Sequence, residues 1–469
     1  MLWSYVLLGA LSACGVWFTL RTKGVQFRMI GEMFRLLTES AIPDSEKGEK
    51  QQGRKHISSF QAFAVSIAAR VGTGNLAGVA TAIAIGGPGA IFWMWVMALF
   101  GSATGFVEST LGQLFKQRHK DSFIGGPAYY ILKGLHRKWM AYLSAILTIL
   151  TFGLVYNSIQ SNTICGAMQG AFGWNPVAVG VVLAVMGLAI VFGGIQRIAN
   201  VSSVLVPVMA VGYFVLAAVV VLMNFDQIPH VLKLIVGNAF GWQQGVGGTL
   251  GATILIGVKR GLFSNEAGEG SVPNVAATAS VSHPVKQGLI QALGVFTDTL
   301  LVCSCTAFVI LISGLYEVPG LNGVALTQAA LGSEIGQTGP MFIALAIFLF
   351  AFSSIIGNYY YGEANVRFIS LHANLSPFTS QLILAVYRTL SAGAVVVFGA
   401  VVSLDVVWNL GDVFMALVTG CNLVAISILG KYVFRLLDDY RQQKRRGIEE
   451  PTFHRSQLPE IEKDLDCWE

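Results

Sequence analysis

The sequence predicts an all-α polytopic membrane protein with eleven transmembrane helices. The 469 residues are 54% hydrophobic and only 12% charged, with a mean hydropathy of +0.64, whereas soluble domains carry about 25% charged residues. Apolar runs long enough to cross a bilayer recur along the whole chain. Lysine and arginine are concentrated in every second connecting segment, which is the pattern of a polytopic membrane protein. No stretch between the apolar runs is long enough for an inserted soluble domain.

The eleven apolar runs give a predicted division of the chain. We expect spans at residues 2–20, 58–86, 88–115, 139–165, 175–195, 198–222, 243–262, 287–314, 340–361, 380–402 and 406–430. The predicted parts are an N-terminal helix with its connector (1–57), a first repeat (58–222), a second repeat with an outer capping segment (223–430) and a cytoplasmic tail (431–469).

The positive charges predict the orientation. Almost every lysine and arginine outside the spans falls in one set of alternate connectors or in the tail, while the other set carries only Lys233. Because cytoplasmic loops are enriched in these residues, the N-terminus is predicted outside and the C-terminus in the cytoplasm. An odd number of spans agrees with this. The connectors 21–57 and 116–138 are each expected to contain a short interfacial helix, and 223–242 and 315–338 to cap the outer face.

The second apolar run is interrupted at residues 70–75, Arg-Val-Gly-Thr-Gly-Asn. Glycine is unfavourable inside a helix, and Thr and Asn offer the backbone other hydrogen bonds. Within a bilayer, non-helical backbone persists only where protein buries it or where it lines a cavity. The segment is therefore either a binding site or a small-residue face for close helix packing.

A second interruption occurs in a corresponding position. Without the first helix, ten spans remain, and the sixth of these begins with Gly245, Gly247, Gly248 and Gly251 around Thr249. Two halves of five helices have opposite topology, because five is odd. Paired glycine-interrupted helices in an inverted repeat indicate a transporter with its binding site near the bilayer midplane. The sequence thus predicts one extra N-terminal helix and a five-plus-five inverted repeat with discontinuous first and sixth core helices.

Other function classes fit the sequence less well. The six cysteines show no disulfide framework or zinc-site spacing, and no HExxH or similar catalytic spacing is present. The Gly-Glu-Gly of residues 268–270 follows no strand and has no Walker lysine, so neither a nucleotide nor a nucleic acid is expected as partner. A channel would need a filter ring or a continuous polar pore, and it stays as the weaker alternative to a carrier.

Four longer motifs carry a resemblance to a known family. They are GTGNLAGVATAIAIGGPGAIFWMWVMALFG, GGPAYY, KRGLFSNEAGEGSVPNVAA and FAFSSIIGNYYYGEAN, between about residues 60 and 365. Together they resemble the alanine or glycine:cation symporter family of bacteria and archaea. The resemblance implies the ten-helix inverted-repeat fold with an extra N-terminal helix, in the plasma (inner) membrane. It also implies import of a small neutral amino acid, usually with sodium and alternatively with protons, by a single protomer.

This resemblance gives the two breaks a chemical role. Free N–H groups and the helix dipole at Gly72, Thr73, Gly74 and Asn75 would bind the carboxylate of the amino acid. Carbonyls at Gly247, Gly248 and Thr249 would accept from its ammonium group, because glycine lets the backbone come close. Close helix packing alone remains the alternative for the second break.

The resemblance also implies a sodium site. The carbonyls of Ala68 and Val71 would lie next to the ion, and the adjacent hydroxyls of Ser353 and Ser354 would complete a set of hard oxygen ligands. The alternative for both serines is a hydrogen bond to a carbonyl of their own helix.

Two amides are candidates for the wall of the binding site. Gln160, by its position in the family, would contact the amino or carboxylate group, with Asn157 and Asn162 as rivals. Asn358 stands where many family members carry tryptophan. This departure leaves open a proton-coupled carrier of a somewhat larger neutral amino acid, such as serine or glutamine.

Five ionisable residues fall inside predicted spans or just beyond their ends, within the membrane, where charge is costly: Arg70, Glu108, Asp298, Glu363 and Arg388. Arg70 directly precedes the break and is expected to pair with Asp298 or Glu363 at an inner gate, with structural neutralisation as the alternative. Asp298 and Glu108 are the candidates for proton coupling if sodium is not used. The loop KRGLFSNEAGEGSVPN is expected to contribute to the same gate.

Overall fold

The computed structural model describes residues 6–39, 57–119, 122–241 and 250–468, and within these ranges the chain is mostly helical. The α-helices in chain order are α1 (Leu8–Arg21), α2 (Val25–Arg28), α3 (Ile30–Leu37), α4 (Ser59–Arg70), α5 (Val79–Gly86), α6 (Gly89–Leu114), α7 (Pro127–Gly134), α8 (Lys138–Thr148), α9 (Asn157–Phe172), α10 (Pro176–Val191), α11 (Gly194–Met223), α12 (Ile228–Ala239), α13 (Leu250–Asn265), α14 (Pro273–Ala276), α15 (Pro284–Val295), α16 (Ser304–Ser313), α17 (Gly323–Ile335), α18 (Thr338–His372), α19 (Pro377–Thr389), α20 (Val395–Val401) and α21 (Leu404–Arg445). Two short antiparallel strands, β1 (Gln117–His119) and β2 (Ser122–Ile124), pair with Arg118 opposite Phe123.

Wider π-helical turns interrupt several of the long helices. They lie at Gly74–Gly78 between α4 and α5, Ile149–Tyr156 between α8 and α9, Phe296–Cys303 between α15 and α16, and Leu390–Ala394 between α19 and α20. Turns of this kind are rare and often occur at functional sites. The first three carry or adjoin most of the polar side chains described below.

Seven continuous helical segments of the described chain are long and apolar enough to cross a membrane, and α4 with α5 forms a further span bent by 50°. All eight coincide with predicted spans. The three remaining predicted spans coincide with shorter helices, α1, α10 and α13. The polytopic helical architecture is confirmed, whereas the count of eleven and the inverted repeat remain predictions.

Local sequence explains how the bent span is built. Ser58 caps α4 in a capping box with Gln61, which satisfies free N–H groups at the start of the helix. The helix ends after Arg70, because Val71 is extended (φ −75°, ψ 92°). Helical structure resumes at Gly74 and ends at Gly86, and the next residue, Gly87, has a φ of 73°, which favours glycine.

The interior of the molecule surrounds this bent span. Nearly all side chains of α4, α5, the second half of α6 and the middle of α18 are buried. By contrast, α10 and α11 leave large apolar side chains such as Val185, Val208 and Val211 exposed. The exposed apolar side chains of α10 and α11 suit these two helices to a lipid environment.

Several connectors are more deeply packed than the sequence predicts. The connector 116–138 contains the predicted short helix, α7, but α7 is buried: Tyr129 packs on Phe368 of α18, and the Tyr130 hydroxyl hydrogen-bonds Asn422 of α21. Tertiary contacts thus cover both tyrosines, and the interfacial position of this helix remains a prediction. The predicted outer caps contain α12 and α17.

The predicted tail is also a packed part of the fold. Helix α21 continues well past residue 430, and the chain after it returns across the molecule. Phe453 N–H donates to Ser282 O at 3.0 Å, and Trp468 Nε1 donates to Leu114 O at 3.0 Å. Both aromatic side chains are buried, so apolar burial holds a segment whose composition is largely charged.

Candidate functional site

The break at residues 70–75 is fully buried and is held by side-chain amides. Gly72 N–H donates to Asn75 Oδ1 at 3.0 Å. Thr73 donates from both its N–H and its Oγ1 to Gln160 Oε1, at 2.9 and 2.7 Å. Two amide oxygens thus accept from the N–H groups that the interrupted helix leaves free.

Gly72 is glycine because its neighbours leave no room for a side chain. A Cβ there would overlap Ser354 Oγ and lie 2.8 Å from Gln160 Oε1. Glycine therefore lets α9 and α18 approach the break from two sides. Gly357 allows a similar approach, since a Cβ on it would lie 2.9 Å from Ala69 Cα.

The four predicted sodium ligands lie together on one side of the break. Ser353 Oγ lies 3.0 Å from Ala68 O, and Ser354 Oγ lies 3.0 Å from Ala68 O and 3.4 Å from Val71 O, so that each hydroxyl can donate its one proton to the break. Both hydroxyls also lie within hydrogen-bond distance of Phe350 O in their own helix. The helix-internal contact and the cross-helix contact therefore coexist.

Asn358 lies one helical turn after Ser354 and is completely buried. Its amide nitrogen and oxygen both lack a hydrogen-bond partner among the described residues. Buried side-chain amides are nearly always hydrogen-bonded, and an exception indicates water, a ligand or stored strain. Asn358 therefore has donor and acceptor capacity available for a bound molecule.

The two rivals of Gln160 face elsewhere. Asn157 Nδ2 donates to Ser391 Oγ at 3.1 Å, and Asn162 Nδ2 donates to Val402 O at 2.8 Å. These bonds connect α9 to the segment around α20. Of the three amides, Gln160 is the one that contacts the break.

Behind the break, Asn75 is held by a carboxylate. Asn75 Nδ2 donates to Asp298 Oδ1 at 2.7 Å, while Ser264 Oγ and Thr299 Oγ1 donate to Asp298 Oδ2 at 2.5 and 2.9 Å. Asp298, Asn75 and Gly72 thus form one chain of hydrogen bonds that reaches the backbone of the break. The sequence singled out Asp298 but missed its two hydroxyl donors. Ser264 reaches it only through packing of α13 on the segment that carries Asp298, and Thr299 is its direct neighbour in sequence.

Two further threonines missed by the sequence reasoning hold backbone carbonyls beyond the break. Thr306 Oγ1 donates to Asn75 O at 2.7 Å, and Thr327 Oγ1 donates to Leu76 O at 3.1 Å. Carbonyls in a π-helical turn lose part of their regular helical bonding, so the two hydroxyls stabilise the turn. Threonine in an apolar helix gives no distinctive signal for such a role.

Arg70 does not form the predicted ion pair with Asp298 or Glu363. Its Nη1 donates to Gln291 O at 3.1 Å, and its Nε and Nη2 have no hydrogen-bond partner within the described parts of the chain. The prediction fails because Asp298 is already satisfied by neutral donors, whereas Glu363 faces a different helix.

Glu363 pairs with two arginines on the side of α18 that faces α19. Its Oε1 lies 2.5 Å from Arg367 Nη2 and 3.6 Å from Arg388 Nη2. The Tyr359 hydroxyl donates to its second oxygen. The sequence named both Glu363 and Arg388 as membrane charges, but their pairing depends on how α19 packs.

Glu108 organises the loop that follows α13. Its two oxygens accept from Gly268 N–H and Gly270 N–H at 3.1 Å each, and from Asn422 Nδ2 at 2.8 Å. Both glycines have positive φ, which presents their N–H groups to one carboxylate. The predicted tight loop is therefore present and buried.

The second predicted break, with Gly247, Gly248 and Thr249, lies outside the described residues. Helix α13, which follows it, contacts the first break: a Cβ on Gly74 would lie 3.1 Å from the Phe263 ring and from Ser264 Cα. The Phe263 ring packs between Tyr156 at 4.9 Å and Trp408 at 4.8 Å, measured between ring centroids. The sequence did not indicate that these three aromatic rings pack together beside the break.

The sequence matches the model of the sodium:alanine symporter family over residues 1–455. The chain belongs to this family. As a member of the sodium:alanine symporter family it is a multi-pass membrane protein of a class that carries amino acids, and the family resemblance expected from the sequence is confirmed.

Three relatives illustrate the range of the family. The "Probable sodium/glutamine symporter GlnT" of Bacillus subtilis is 50% identical over 468 residues, covering 100% of this chain and 94% of the relative. The "Sodium/proton-dependent alanine carrier protein" of Bacillus sp. (strain PS3) is 37% identical over 417 residues, covering 85% and 91%. The "Sodium/alanine symporter AgcS" of Methanococcus maripaludis is 34% identical over 442 residues, covering 92% and 93%.

The residues beside the break fit the ion named for the family. Ala68 and Val71 contribute carbonyl oxygens and Ser353 and Ser354 hydroxyl oxygens, which are neutral hard donors of the kind that hard cations take. A hydroxyl that rotates away from a carbonyl turns a lone pair to the same space. The donor set therefore has suitable chemistry for a sodium ion in this member of the sodium:alanine symporter family.

Proposed function

We propose that this chain is a secondary active symporter that imports a small neutral amino acid, alanine or glycine, together with sodium. One observation carries the proposal: a buried helix break lies between the paired hydroxyls of Ser353 and Ser354 on one side and the Gln160 amide on the other. An ion and an amino acid that bind to two sides of the same break would be coupled through its backbone. Membership of the sodium:alanine symporter family supports the same function.

The carboxylate of the amino acid would bind at Gly72–Asn75. The oxygens of Gln160 and Asn75 now accept from Thr73 and Gly72, and these amide oxygens stand in for the two carboxylate oxygens. A bound carboxylate would replace the Gln160 oxygen and receive stronger, charge-assisted bonds from the same donors. Gln160 would then be free to turn its amide to the substrate.

Sodium would bind to Ala68 O, Val71 O and the two serine hydroxyls. Val71 directly precedes Gly72, so the ion would order the backbone that holds the carboxylate. The coupling is reciprocal: sodium raises the affinity for the amino acid and the amino acid raises the affinity for sodium. Gly247, Gly248 and Thr249 would accept from the ammonium group and complete the pocket.

Alternating access would open this pocket to one side at a time. Arg70 and the buried loop held by Glu108 would form the inner gate, with Glu363 fixing α18 next to it. The N-terminus would lie outside and the C-terminus in the cytoplasm, because the connectors on one side hold nearly all the positive charge. A single protomer in the inner membrane would suffice for transport.

Uptake by purified protein in liposomes tests the proposal. Labelled L-alanine, L-serine, L-glutamine and glycine are offered with an inward sodium gradient, with an inward proton gradient and with neither. We expect sodium-driven accumulation of alanine or glycine. Transport of no neutral amino acid, or uptake that ignores the sodium gradient, would contradict the proposal.

A second substrate is favoured by Asn358. Its unpartnered amide could pair with the side-chain amide of glutamine through two complementary hydrogen bonds, or with the hydroxyl of serine. A relative that is 50% identical is named a sodium/glutamine symporter. The alternative function is therefore transport of this larger amino acid, and the name of another relative supports a proton as coupling ion, with Asp298 and Glu108 as its carriers.

Competition separates the two substrates. In the same liposomes, excess unlabelled glutamine abolishes alanine uptake if the larger amino acid is preferred. In that case Asn358→Ala lowers the uptake of glutamine more than the uptake of alanine. If glutamine competes poorly and Asn358→Ala affects all substrates equally, the smaller substrate is retained.

A further inference from the structure

A cavity of about 780 Å³ with a mixed polar and apolar lining lies away from the helix break, between the end of α18, the start of α19 and strand β1. Its lining includes His119, Arg367, Ser370, Asn374, Ser380 and Arg388. The cavity is at the end of the molecule where lysines and arginines concentrate, which we proposed as the cytoplasmic end. The proposed transport site does not include this cavity and gives it no role.

Among the described residues, two arginines and one carboxylate at the lining sum to one excess positive charge. Arg367 and Arg388 both face the single buried carboxylate of Glu363. Arg367 Nη1 also lies 3.1 Å from His119 Nε2. A guanidinium has only donors, so this histidine nitrogen accepts. Two arginines against one carboxylate leave a net charge of +1 for a ligand to neutralise.

Arg388 has N–H groups available for that ligand. Its Nε donates to the Tyr359 hydroxyl at 3.0 Å, while its Nη2 lies 3.6 Å from Glu363, which is an ion-pair distance. In the described chain, neither Nη atom makes a hydrogen bond. Arginine binds phosphate oxygens well with paired N–H groups of this kind.

The surroundings of the cavity are apolar and exposed. Leu371, Phe378 and Leu382 have 47%, 77% and 53% of their surface exposed. They lie on the same two helix ends as the polar lining. An anionic group bound in the cavity would thus have apolar protein surface beside it, which suits a headgroup with attached acyl chains better than a soluble anion.

We propose that this cavity binds the phosphodiester of an anionic phospholipid from the inner leaflet. The phosphate receives hydrogen bonds from Arg388 and from the polar side chains at the helix ends, and its single negative charge balances the excess positive charge. The acyl chains lie against Phe378 and Leu382. Basic pockets between transmembrane helices on the cytoplasmic side are suited to this kind of lipid.

Native mass spectrometry of the delipidated full-length protein tests the proposal. Phosphatidylglycerol, phosphatidylcholine and sn-glycerol 3-phosphate are added back separately, and bound molecules are counted against concentration. We expect wild type to bind phosphatidylglycerol more tightly than phosphatidylcholine. Arg388→Gln weakens the phosphatidylglycerol site about tenfold, as expected for one lost charge-assisted interaction of about 1.4 kcal/mol.

Two more variants control for folding and for general charge. Ser380→Trp fills the cavity and keeps every charge, and it should weaken phosphatidylglycerol binding as much as Arg388→Gln. Arg137→Gln removes an exposed arginine outside the cavity and should leave binding unchanged. The proposal is overturned if both cavity variants bind phosphatidylglycerol like wild type, if Arg137→Gln loses as much, or if glycerol 3-phosphate binds as tightly as the lipid.

Discussion

Gly72 is the residue at which the proposed ion and substrate sites meet. Its missing side chain leaves space that Ser354 and Gln160 occupy from opposite directions. The sequence predicted a break here, since glycine, threonine and asparagine in an apolar helix are an unusual local signal. It could not predict that Gln160 Oε1 would accept twice from Thr73, because this contact joins residues 87 positions apart.

We expect Gly72→Ala to lower sodium-driven uptake more than tenfold, because the new methyl group would overlap Ser354 Oγ and displace Gln160. Gly78→Ala is the matched control in the same helix break, where a Cβ would meet its nearest atoms at an ordinary 3.8 Å. Uptake by equal amounts of folded protein in liposomes measures both. Equal loss in the two variants would show a general effect on the helix instead.

Ser354→Ala should raise the sodium concentration for half-maximal uptake by about tenfold, as for the loss of about 1.4 kcal/mol of ion binding. The reason is that the hydroxyl next to Ala68 O and Val71 O is removed without changing the backbone. Ser333→Ala removes a hydroxyl that donates to Ala330 O of its own helix, and it should leave the sodium concentration for half-maximal uptake unchanged. Sodium titration of uptake distinguishes them, and an unchanged sodium requirement in Ser354→Ala would exclude this serine as a ligand.

At the scale of elements, α18 connects the two polar regions of the molecule. Ser353 and Ser354 contact the helix break, and Asn358 follows Ser354 by one helical turn. Farther along α18, Glu363 pairs with Arg388 of α19, and Arg367 lines the cavity. The sequence placed Ser353, Ser354 and Asn358 on one predicted span, 340–361. Glu363 and Arg367 fall beyond the end of that span, whereas α18 continues to His372. Their partners could not be predicted, because they depend on how α9, α15 and α19 rotate against α18.

Glu363→Gln is expected to lower stability by about 3 kcal/mol, since removing one member of a buried charge cluster leaves the others uncompensated. Arg367 and Arg388 would then face each other without a carboxylate. Glu462→Gln removes a carboxylate whose pair with Arg455 is exposed, at 3.7 Å, and should cost less than about 1 kcal/mol. Thermal unfolding in detergent measures the difference. Similar melting temperatures for both variants would contradict a structural role for Glu363.

The burial of two elements could not be predicted from the sequence, for an identifiable reason. Helix α7 and the tail both have mixed polar and apolar composition, which is typical of surface segments. In the structure, Tyr129, Tyr130, Phe453 and Trp468 are buried by distant parts of the chain. A hydropathy average depends only on residues that are adjacent in the sequence. It therefore cannot predict burial that results from tertiary contacts.

At the scale of the whole molecule, the first connector is tied to the end of the last long helix. Glu32 of α3 accepts from Arg35 at 2.8 Å and from the Tyr440 hydroxyl of α21 at 2.5 Å. Burial alone would raise the pKa of Glu32, but these hydrogen bonds outweigh it and lower the pKa from 4.5 to about 2. The ionised carboxylate is thus favoured in the folded state.

The stability contributed by Glu32 should therefore depend on pH. Because its folded pKa is depressed, the contribution is present above pH 4.5 and is lost as the pH falls from 4.5 towards about 2. Glu32→Gln should melt below wild type at pH 7, and the gap should narrow below pH 4.5. Tyr440→Phe should give a smaller gap of the same kind, since the Arg35 bond remains. A difference in melting temperature between wild type and Glu32→Gln that is the same at every pH would contradict this role.

The close contacts around Gly72 and Gly357 also restrict how such a protein can diverge. A methyl group at either position meets Ser354, Gln160 or Ala69 at less than normal contact distance, so most substitutions of this backbone would be removed by selection. Asn358 presents a side-chain amide that makes no hydrogen bond to the described residues, and Gln160 presents one that can be exchanged only for another acceptor for Thr73. Descendants of one ancestral carrier would therefore acquire new substrates through these two side chains, while the broken helix stayed the same.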